Sequence, residues 1–336
     1  MKAIARPACE HFPASRLKPE NPGQESPMRT IPAAKRRLAL LAACLCLGAA
    51  SRAAAQDIEP RTYFNAPIGI NFLIAGYAYT QGALQFDSAL ELTDANLKTS
   101  NAVLAYARVF ELGGKQAMVD VVIPYTDLSG TALYQGDPIE RNVDGFANPA
   151  VRLVWNFHGA PALSLAQFRA WEPELVIGAS LRVSAPWSQY DSSRLVNIGT
   201  NRWSFKPEIG VSKNIGPWAL EGSLAATIYT VNDDFFGGRR REQDPLYSVQ
   251  GHVMRSFRGG SWLSVDATYY AGGRSTLNGV VKADLQQNWR AGATLAIPID
   301  RKNSVKLYAS TGFSDRTGNS FDLFGIAWQH RWGEGM

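Results

Sequence analysis

The feature that most constrains the fold is a period-two alternation of apolar and polar residues, which recurs from about residue 68 to residue 332. In the stretch 201–213, "NRWSFKPEIGVSK", aromatic and aliphatic residues occupy the odd positions and charged or small residues the even ones. A period of two indicates a β-strand with one apolar and one polar face. The apolar face packs into a core in a soluble protein, but it meets lipid in a membrane barrel.

Counting such segments gives twelve predicted strands. Twelve is an even number, as in bacterial outer-membrane barrels, and each segment has the length that a tilted membrane strand needs. Helical periodicity is confined to one short connector at 162–172. The predicted strands are 68–80, 99–110, 116–126, 147–158, 174–184, 202–213, 217–230, 246–258, 261–272, 286–298, 303–314 and 321–332.

The connections between these strands alternate in length. Long connections follow the first, third, fifth, seventh and ninth strands, whereas tight turns such as "ELGGK" and "RGG" follow most even-numbered strands. The connection at 159–173 is the exception. Long loops at one rim and tight turns at the other are typical of an outer-membrane barrel, and a soluble sandwich has no reason to sort its loops this way. The sequence therefore predicts an all-β, antiparallel, up-and-down transmembrane barrel.

In such a barrel the apolar face of each strand faces lipid. A basic or acidic side chain at the bilayer midplane costs about 2–4 kcal/mol, so the charged faces must line the lumen. The candidate lumen residues are Arg182, Arg202, Lys206, Glu208, Glu221, His252, Asp266, Arg290 and Lys306. Aromatic residues near strand ends suit the two interfacial girdles: Tyr63, Trp155, Trp203, Trp218, Trp262, Trp289 and Trp332.

The N-terminus has the layout of a secretory signal peptide. Three basic residues at 35–37 precede an apolar run at 38–50, and small residues stand before a cleavage point after Ala55. We therefore expect residues 1–55 to be an extension plus a cleaved signal, with translation starting at Met1 or Met28, and residues 56–336 to form one barrel domain. An alternative is a lipoprotein box ending at Cys44, but only six apolar residues separate it from Arg37.

Removal of residues 1–55 changes what the composition implies. All three cysteines, at 9, 44 and 46, are removed, which excludes disulfides, thiol nucleophiles and thiolate metal sites. Nine of the 34 basic and three of the 29 acidic residues also leave, so 25 basic and 26 acidic side chains remain, a net charge of about −1. The basic balance of the full chain is therefore no sign of nucleic-acid binding.

The sequence contains none of the common hydrolase, zinc-protease or phosphate-binding motifs, and it implies no metal and no cofactor. His252 and Asp266 fall on the lumen faces of neighbouring predicted strands, which leaves open an outer-membrane enzyme built on this pair. A histidine that is hydrogen-bonded in a polar lumen is the simpler interpretation. Arg239, Arg240 and Arg241 form a basic run in a predicted external loop, where they are candidates to contact the phosphates of lipopolysaccharide.

Several blocks along the chain resemble the "MetA-pathway of phenol degradation" family of outer-membrane transporters. The resemblance implies an outer-membrane β-barrel associated with the passage of aromatic or hydrophobic compounds. The blocks are "RTYFNAPIGINFLIAGYAYTQG" (61–82), "PYTDLSG" (124–130), "GAPAL" (159–163), "NIGTNRWSFKPEIGVSK" (197–213), "REQDPLYSVQGHV" (241–253), "DATYYAGG" (266–273) and "AWQHRW" (327–332).

Together these observations predict a monomeric, twelve-stranded barrel in the outer membrane of a Gram-negative bacterium, acting as a passive channel for small hydrophobic or aromatic molecules. Its expected partners are the lipid bilayer, lipopolysaccharide, the barrel-assembly machinery and these solutes. Two other functions stay open at this point: an enzyme using His252 and Asp266, and a closed structural or surface-recognition barrel.

Overall fold

The computed structural model describes residues 59–83, 92–314 and 320–336. The predicted signal peptide lies outside the described residues. These ranges contain seventeen strands and one helix, α1 (Leu165–Ala170). The strands are β1 (Ile70–Ala83), β2 (Leu92–Leu112), β3 (Lys115–Tyr134), β4 (Asp137–Phe146), β5 (Ala150–His158), β6 (Val176–Ser184), β7 (Ser204–Ile215), β8 (Trp218–Tyr229), β9 (Asn232–Phe235), β10 (Arg239–Gln243), β11 (Leu246–Ser256), β12 (Trp262–Gly272), β13 (Ser275–Leu277), β14 (Val280–Val281), β15 (Gln286–Pro298), β16 (Asn303–Ser314) and β17 (Ser320–Gly333).

Twelve of the strands close into an antiparallel barrel, and they correspond one to one to the twelve predicted from the sequence. They are β1, β2, β3, β5, β6, β7, β8, β11, β12, β15, β16 and β17. The first and last strands pair along their whole length, from Ile70 opposite Gly333 to Ala83 opposite Ser320. This pairing closes the wall, so the twelve-stranded barrel predicted from the alternation is confirmed.

The two rims of the barrel differ as predicted. Tight turns such as Gly113–Gly114 join strands at the rim that we call the short-turn rim. The exception at 159–173 contains α1, whose N-terminus is capped by Ser164 with Gln167 in a capping box. No helix in the described ranges is long and apolar enough to cross a membrane.

The opposite rim, the long-loop rim, carries structure that the sequence analysis did not predict. The hairpin of β2 and β3 extends beyond the predicted ends, and β4 pairs with its distal part. Strands β9, β10, β13 and β14, within two predicted loops, form a separate four-stranded sheet. These strands have only two to five residues, so they are too short to produce a clear period-two signal.

The faces of the barrel wall follow the predicted alternation. On β7, Ile209 and Val211 are exposed on the outside, whereas Gly210 and Ser212 are buried. On β8, Leu220 and Leu224 are exposed and Glu221 and Ser223 are buried. The exposed belt of large apolar side chains is the surface expected to meet lipid, whereas Glu221 and Ser223 point inward.

Candidate functional site: a lumen occupied by the N-terminal segment

The chain that precedes β1 lies inside the barrel. We call residues 59–69 the N-terminal segment. Its end is fixed at the short-turn rim, where the Ile68 and Gly69 amides donate to the carbonyls of Leu163 and Val109 at 2.9 Å. From there it extends back into the lumen, where Tyr63 is fully buried. The prediction that Tyr63 belongs to an interfacial girdle is therefore wrong, because this aromatic residue packs inside the wall.

Two glycines of the wall make room for the Tyr63 ring. Gly178 on β6 and Gly210 on β7 are directly opposite each other in the strand register. A Cβ atom at Gly178 would lie 2.7 Å from Tyr63 Cδ1, and one at Gly210 would overlap the ring. The Tyr63 hydroxyl donates to Glu208 at 2.9 Å and lies 3.4 Å from the Ser180 hydroxyl. The wall therefore contains a recess shaped for an aromatic ring with a polar end.

The backbone of the N-terminal segment is held by polar side chains of the wall. Glu221 on β8 accepts hydrogen bonds from the amides of Thr62, at 3.2 Å, and Tyr63, at 3.1 Å. The Asn156 amide group donates to the Phe64 carbonyl at 3.4 Å. Glu221 therefore holds two consecutive amides of this backbone, and Asn156 holds the next carbonyl.

Arg61 attaches the segment to two further strands of the wall, β11 and β12. Its guanidinium group lies 4.4 Å from the ring centroid of Trp262, on β12, and donates to Ser256 at 3.2 Å. Trp262 is 7% exposed and shares its face with Ser264 and Asp266. It was predicted to lie in an outward girdle, and this prediction is wrong, because its period-two partners are the lumen residues of β12.

The first described residue of the segment, Glu59, contacts a row of positive charges. Arg152 on β5, Arg182 on β6 and Lys206 on β7 are neighbours in the strand register, and we call them the cation row. The Glu59 carboxylate forms ion pairs with Arg152 and, at 3.1 Å, with Arg182. Two wall carboxylates flank the row: Asp120 lies 2.8 Å from Arg152, and Glu208 lies 3.2 Å from Lys206.

The space left beside these groups is small. A cavity of about 10 Å³ is lined by the side chains of Glu59, the cation row, Ser180, Glu208 and Gln250. That is room for about one water molecule. This cavity is therefore too small to hold an aromatic solute.

His252 and Asp266, the pair considered for catalysis, do lie together. In the strand register, His252 on β11 lies opposite Glu221 on β8 and opposite Asp266 on β12. His252 Nδ1 is 2.6 Å from Asp266 Oδ1. The Ser264 hydroxyl donates to the same Asp266 oxygen and not to the histidine. A nucleophile activated by a histidine must bond to that histidine, so this arrangement fits a structural network. No group of three or more potential metal-ligating side chains occurs in the described residues.

The remaining lumen candidates occupy two levels. Lys306 lies towards the short-turn rim, with its ammonium group 6.0 Å from the Trp262 ring. Arg202 and Arg290 lie towards the long-loop rim, where both are buried. Their guanidinium groups stack on Tyr229, at 4.2 Å, and Phe321, at 5.2 Å.

Beyond these arginines, towards the long-loop rim, apolar side chains pack against one another inside the barrel. Leu97, Leu128 and Phe321 point inward from the wall and are at most 1% exposed. Loop residues pack on them, including Val196 and Ile198. We call this set the outer apolar cluster; its buried members are Leu92, Leu97, Leu128, Ala132, Val196, Ile198, Phe235, Leu277 and Phe321.

The loop at 185–203, which supplies Val196 and Ile198, is held by polar contacts of its own. Asp191 accepts hydrogen bonds from the hydroxyl and the amide of Ser193 at 2.6 and 2.9 Å. These bonds hold the pKa of the Asp191 carboxyl below its usual range. Arg141 on β4 donates to the Val196 carbonyl at 2.9 Å, which attaches the loop to the strand that pairs with the distal part of the β2–β3 hairpin.

The three arginines predicted to contact lipopolysaccharide differ in position. Arg240 is exposed and pairs with Asp233 and Glu242 in the same sheet. Arg239 donates to the Phe236 carbonyl. Arg241 is 1% exposed and donates to Ser275, so burial removes it from the residues that can reach a lipid phosphate. Contact with lipopolysaccharide stays a prediction for Arg239 and Arg240.

The N-terminal segment is the functional feature that the sequence analysis missed. Its signals were present: Glu59, Arg61 and Tyr63 precede the first strand, and Gly178 and Gly210 stand at lumen positions of neighbouring strands. Pairing a tyrosine with two glycines 115 and 147 residues away requires the strand register, which one sequence does not provide.

A solved structure of a known protein agrees with this architecture. The crystal structure of the COG4313 outer membrane channel from Pseudomonas putida F1 is similar with a TM-score of 0.68 and 18% identity, over 82% of this chain and 100% of that one. The β domain of the Bordetella autotransporter BrkA aligns with a TM-score of 0.49 and 11% identity, over 79% and 100% of the two chains. No curated protein matches the sequence significantly. A family model matches residues 75–329, and the chain therefore belongs to the family described as "Putative MetA-pathway of phenol degradation".

Proposed function

We propose that the protein is an outer-membrane channel through which small hydrophobic or aromatic molecules diffuse passively. The observation that carries this proposal is that the N-terminal segment, and not a packed apolar core, occupies the short-turn half of the lumen. The space inside the short-turn half is filled by a chain segment that belongs to no strand and is held by hydrogen bonds and ion pairs. Such contacts exchange with water more readily than a packed apolar core, so the segment can leave without dismantling the wall.

The two halves of the lumen suit a solute with an apolar body. On the long-loop side a solute meets the outer apolar cluster, where leucine, isoleucine and phenylalanine side chains provide apolar contacts. On the short-turn side it meets the ring recess of Gly178 and Gly210 once Tyr63 leaves. Membership of a family described by phenol degradation supports aromatic compounds as the class of solute.

The test is conductance in a planar bilayer. A variant lacking residues 59–65 retains every barrel strand, so we expect it to assemble and to show larger single-channel currents than the wild type. Liposomes containing this variant should also take up phenol faster than liposomes containing the wild type. If neither protein conducts and neither admits phenol, the proposal is wrong and the barrel is closed and structural.

A further inference from the structure

The strongest unexplained feature of the wall is the cation row. On three adjacent strands, Arg152 is directly opposite Arg182, and Arg182 is directly opposite Lys206. The Cβ atoms of each pair are therefore about 5 Å apart. Like charges in directly opposed positions destabilise a sheet. A wall that keeps three cations in this arrangement needs anions beside them, and in this structure Glu59 is one of them, together with Asp120 and Glu208.

The ion pairs of Glu59 show why another anion favours movement of the segment. Asp120 pairs with Arg152 and Glu208 pairs with Lys206 from the wall itself, whereas Glu59 belongs to the N-terminal segment. When the segment moves, Arg152 and Arg182 lose the Glu59 carboxylate in a confined part of the lumen, where loss of an ion-pair partner is costly. Movement of the N-terminal segment is therefore favoured by any mobile anion that can take the place of the Glu59 carboxylate.

We infer that the cation row is a binding site for the carboxylate group of a small aromatic acid, which competes with Glu59 for it. The N-terminal segment shows which two chemical groups such a ligand must carry, a carboxylate and an aromatic ring. Its carboxylate, at Glu59, binds Arg152 and Arg182, and its aromatic ring, at Tyr63, fills the recess of Gly178 and Gly210. An arylalkanoate carries the same two groups in one molecule. This inference rests on the proposed channel function and names one class of solute for it.

Planar guanidinium groups suit this ligand because they bind a carboxylate through two parallel N–H donors. Arg152 and Arg182 now share the two oxygens of Glu59, with Oε2 on Arg152 and Oε1 on Arg182. A free carboxylate can adopt the same arrangement. The neutral ester of the same acid offers no negative charge to the row, which makes it the matched control ligand.

The experiment is calorimetric titration of the detergent-solubilised protein with 3-phenylpropionate and with its methyl ester. Four forms are compared: wild type, Glu59→Gln, Arg182→Gln in the Glu59→Gln background, and Glu172→Gln. Glu172 is exposed in the connection after α1, so its variant controls for loss of a carboxylate elsewhere. Heat-modifiable gel mobility verifies that each barrel is folded.

We expect Glu59→Gln to bind the acid about tenfold more tightly than the wild type, because the internal competitor has lost its charge. Adding Arg182→Gln should weaken that binding by at least about tenfold, because one of the two guanidinium partners is removed. Glu172→Gln should behave as the wild type, and the ester should bind equally to all four forms. Equal binding of acid and ester, or no effect of either substitution, would overturn the inference.

Bilayer recordings of the same proteins separate this inference from the channel proposal. If Glu59→Gln binds the acid but no form conducts, including the variant lacking residues 59–65, the carboxylate site stands and the channel proposal is wrong. If the proteins conduct but acid binding does not depend on Glu59 or Arg182, the channel stands and the carboxylate site is wrong.

Discussion

The ring of Tyr63 occupies the volume that a side chain at Gly210 would need, so the N-terminal segment and β7 fit together only because residue 210 is glycine. The backbone of Gly210 is extended and free of strain, so glycine is required here for space alone. This fit links the sequence of the wall to occupation of the lumen, and it can be tested without altering any charge.

Gly210→Ala should displace Tyr63 from its recess and increase single-channel conductance, while the barrel still assembles. The added methyl group overlaps the ring, and the ring is more easily moved than the strand because it lies on a segment outside the sheet. The matched control is Gly251→Ala on β11, where a Cβ atom meets no neighbour within 4 Å. Unchanged currents in Gly210→Ala would show that Tyr63 does not limit the pore.

Glu221→Gln should loosen the N-terminal segment. The carboxylate accepts two backbone amides through its two oxygens, and the substitution replaces one of these acceptors with an NH2 donor. The readout is the rate at which a thiol reagent labels Thr62→Cys in chains that start at residue 56, which have no other cysteine. We expect labelling to be about tenfold faster in the Glu221→Gln background.

The control for this measurement is Glu172→Gln, which removes an exposed carboxylate remote from the segment. It should leave the labelling rate of Thr62→Cys unchanged. If the Glu221→Gln and Glu172→Gln backgrounds label at the same rate, the two amide contacts do not hold the segment.

The strands and the two rims were predictable because each depends on local sequence. Period two along β7 identifies its apolar face from Ile209 and Val211, and tight turns are visible as glycine pairs such as Gly113–Gly114. The interior could not be predicted in the same way. Tyr63 belongs to a segment with no periodicity, so the sequence does not show whether its side chain points to lipid or to the lumen. Arg182 and Lys206 face each other because of the register between β6 and β7, and the register between two strands cannot be read from either strand alone.

Ile209→Arg should impair assembly. Ile209 lies at the middle of β7 and is 50% exposed on the lipid side, where an arginine costs about 2–4 kcal/mol. Ile209→Met tests the same position with an apolar side chain of similar size and should assemble normally. Heat-modifiable gel mobility measures the folded fraction of each, and equal folding of the two variants would contradict the assigned face.

Asp191→Ala should loosen the loop at 185–203 and expose it to trypsin after Arg194. The variant loses both hydrogen bonds from Ser193. Because the pKa of Asp191 is lowered in the folded protein, the stabilisation is present above the ordinary aspartate pKa and disappears only as the pH falls through the lowered value. The difference in cleavage rate between wild type and variant should therefore persist from about pH 6 to pH 9, and equal rates would show that this turn does not hold the loop.

The position of Glu59 also bears on where the mature chain begins. Glu59 lies within the lumen at the cation row, and only residues 56–58 separate it from the predicted cleavage point after Ala55. The basic run at 35–37, the apolar run at 38–50 and the small residues before Gln56 have the layout of a leader that is cleaved on export. We therefore expect N-terminal sequencing of protein from the outer-membrane fraction to begin at Gln56. Ala55→Trp, which removes the small residue before the cleavage point, should accumulate precursor without the heat-modifiable folded form. An acylated Cys44, or a folded barrel that retains residues 1–55, would contradict this prediction.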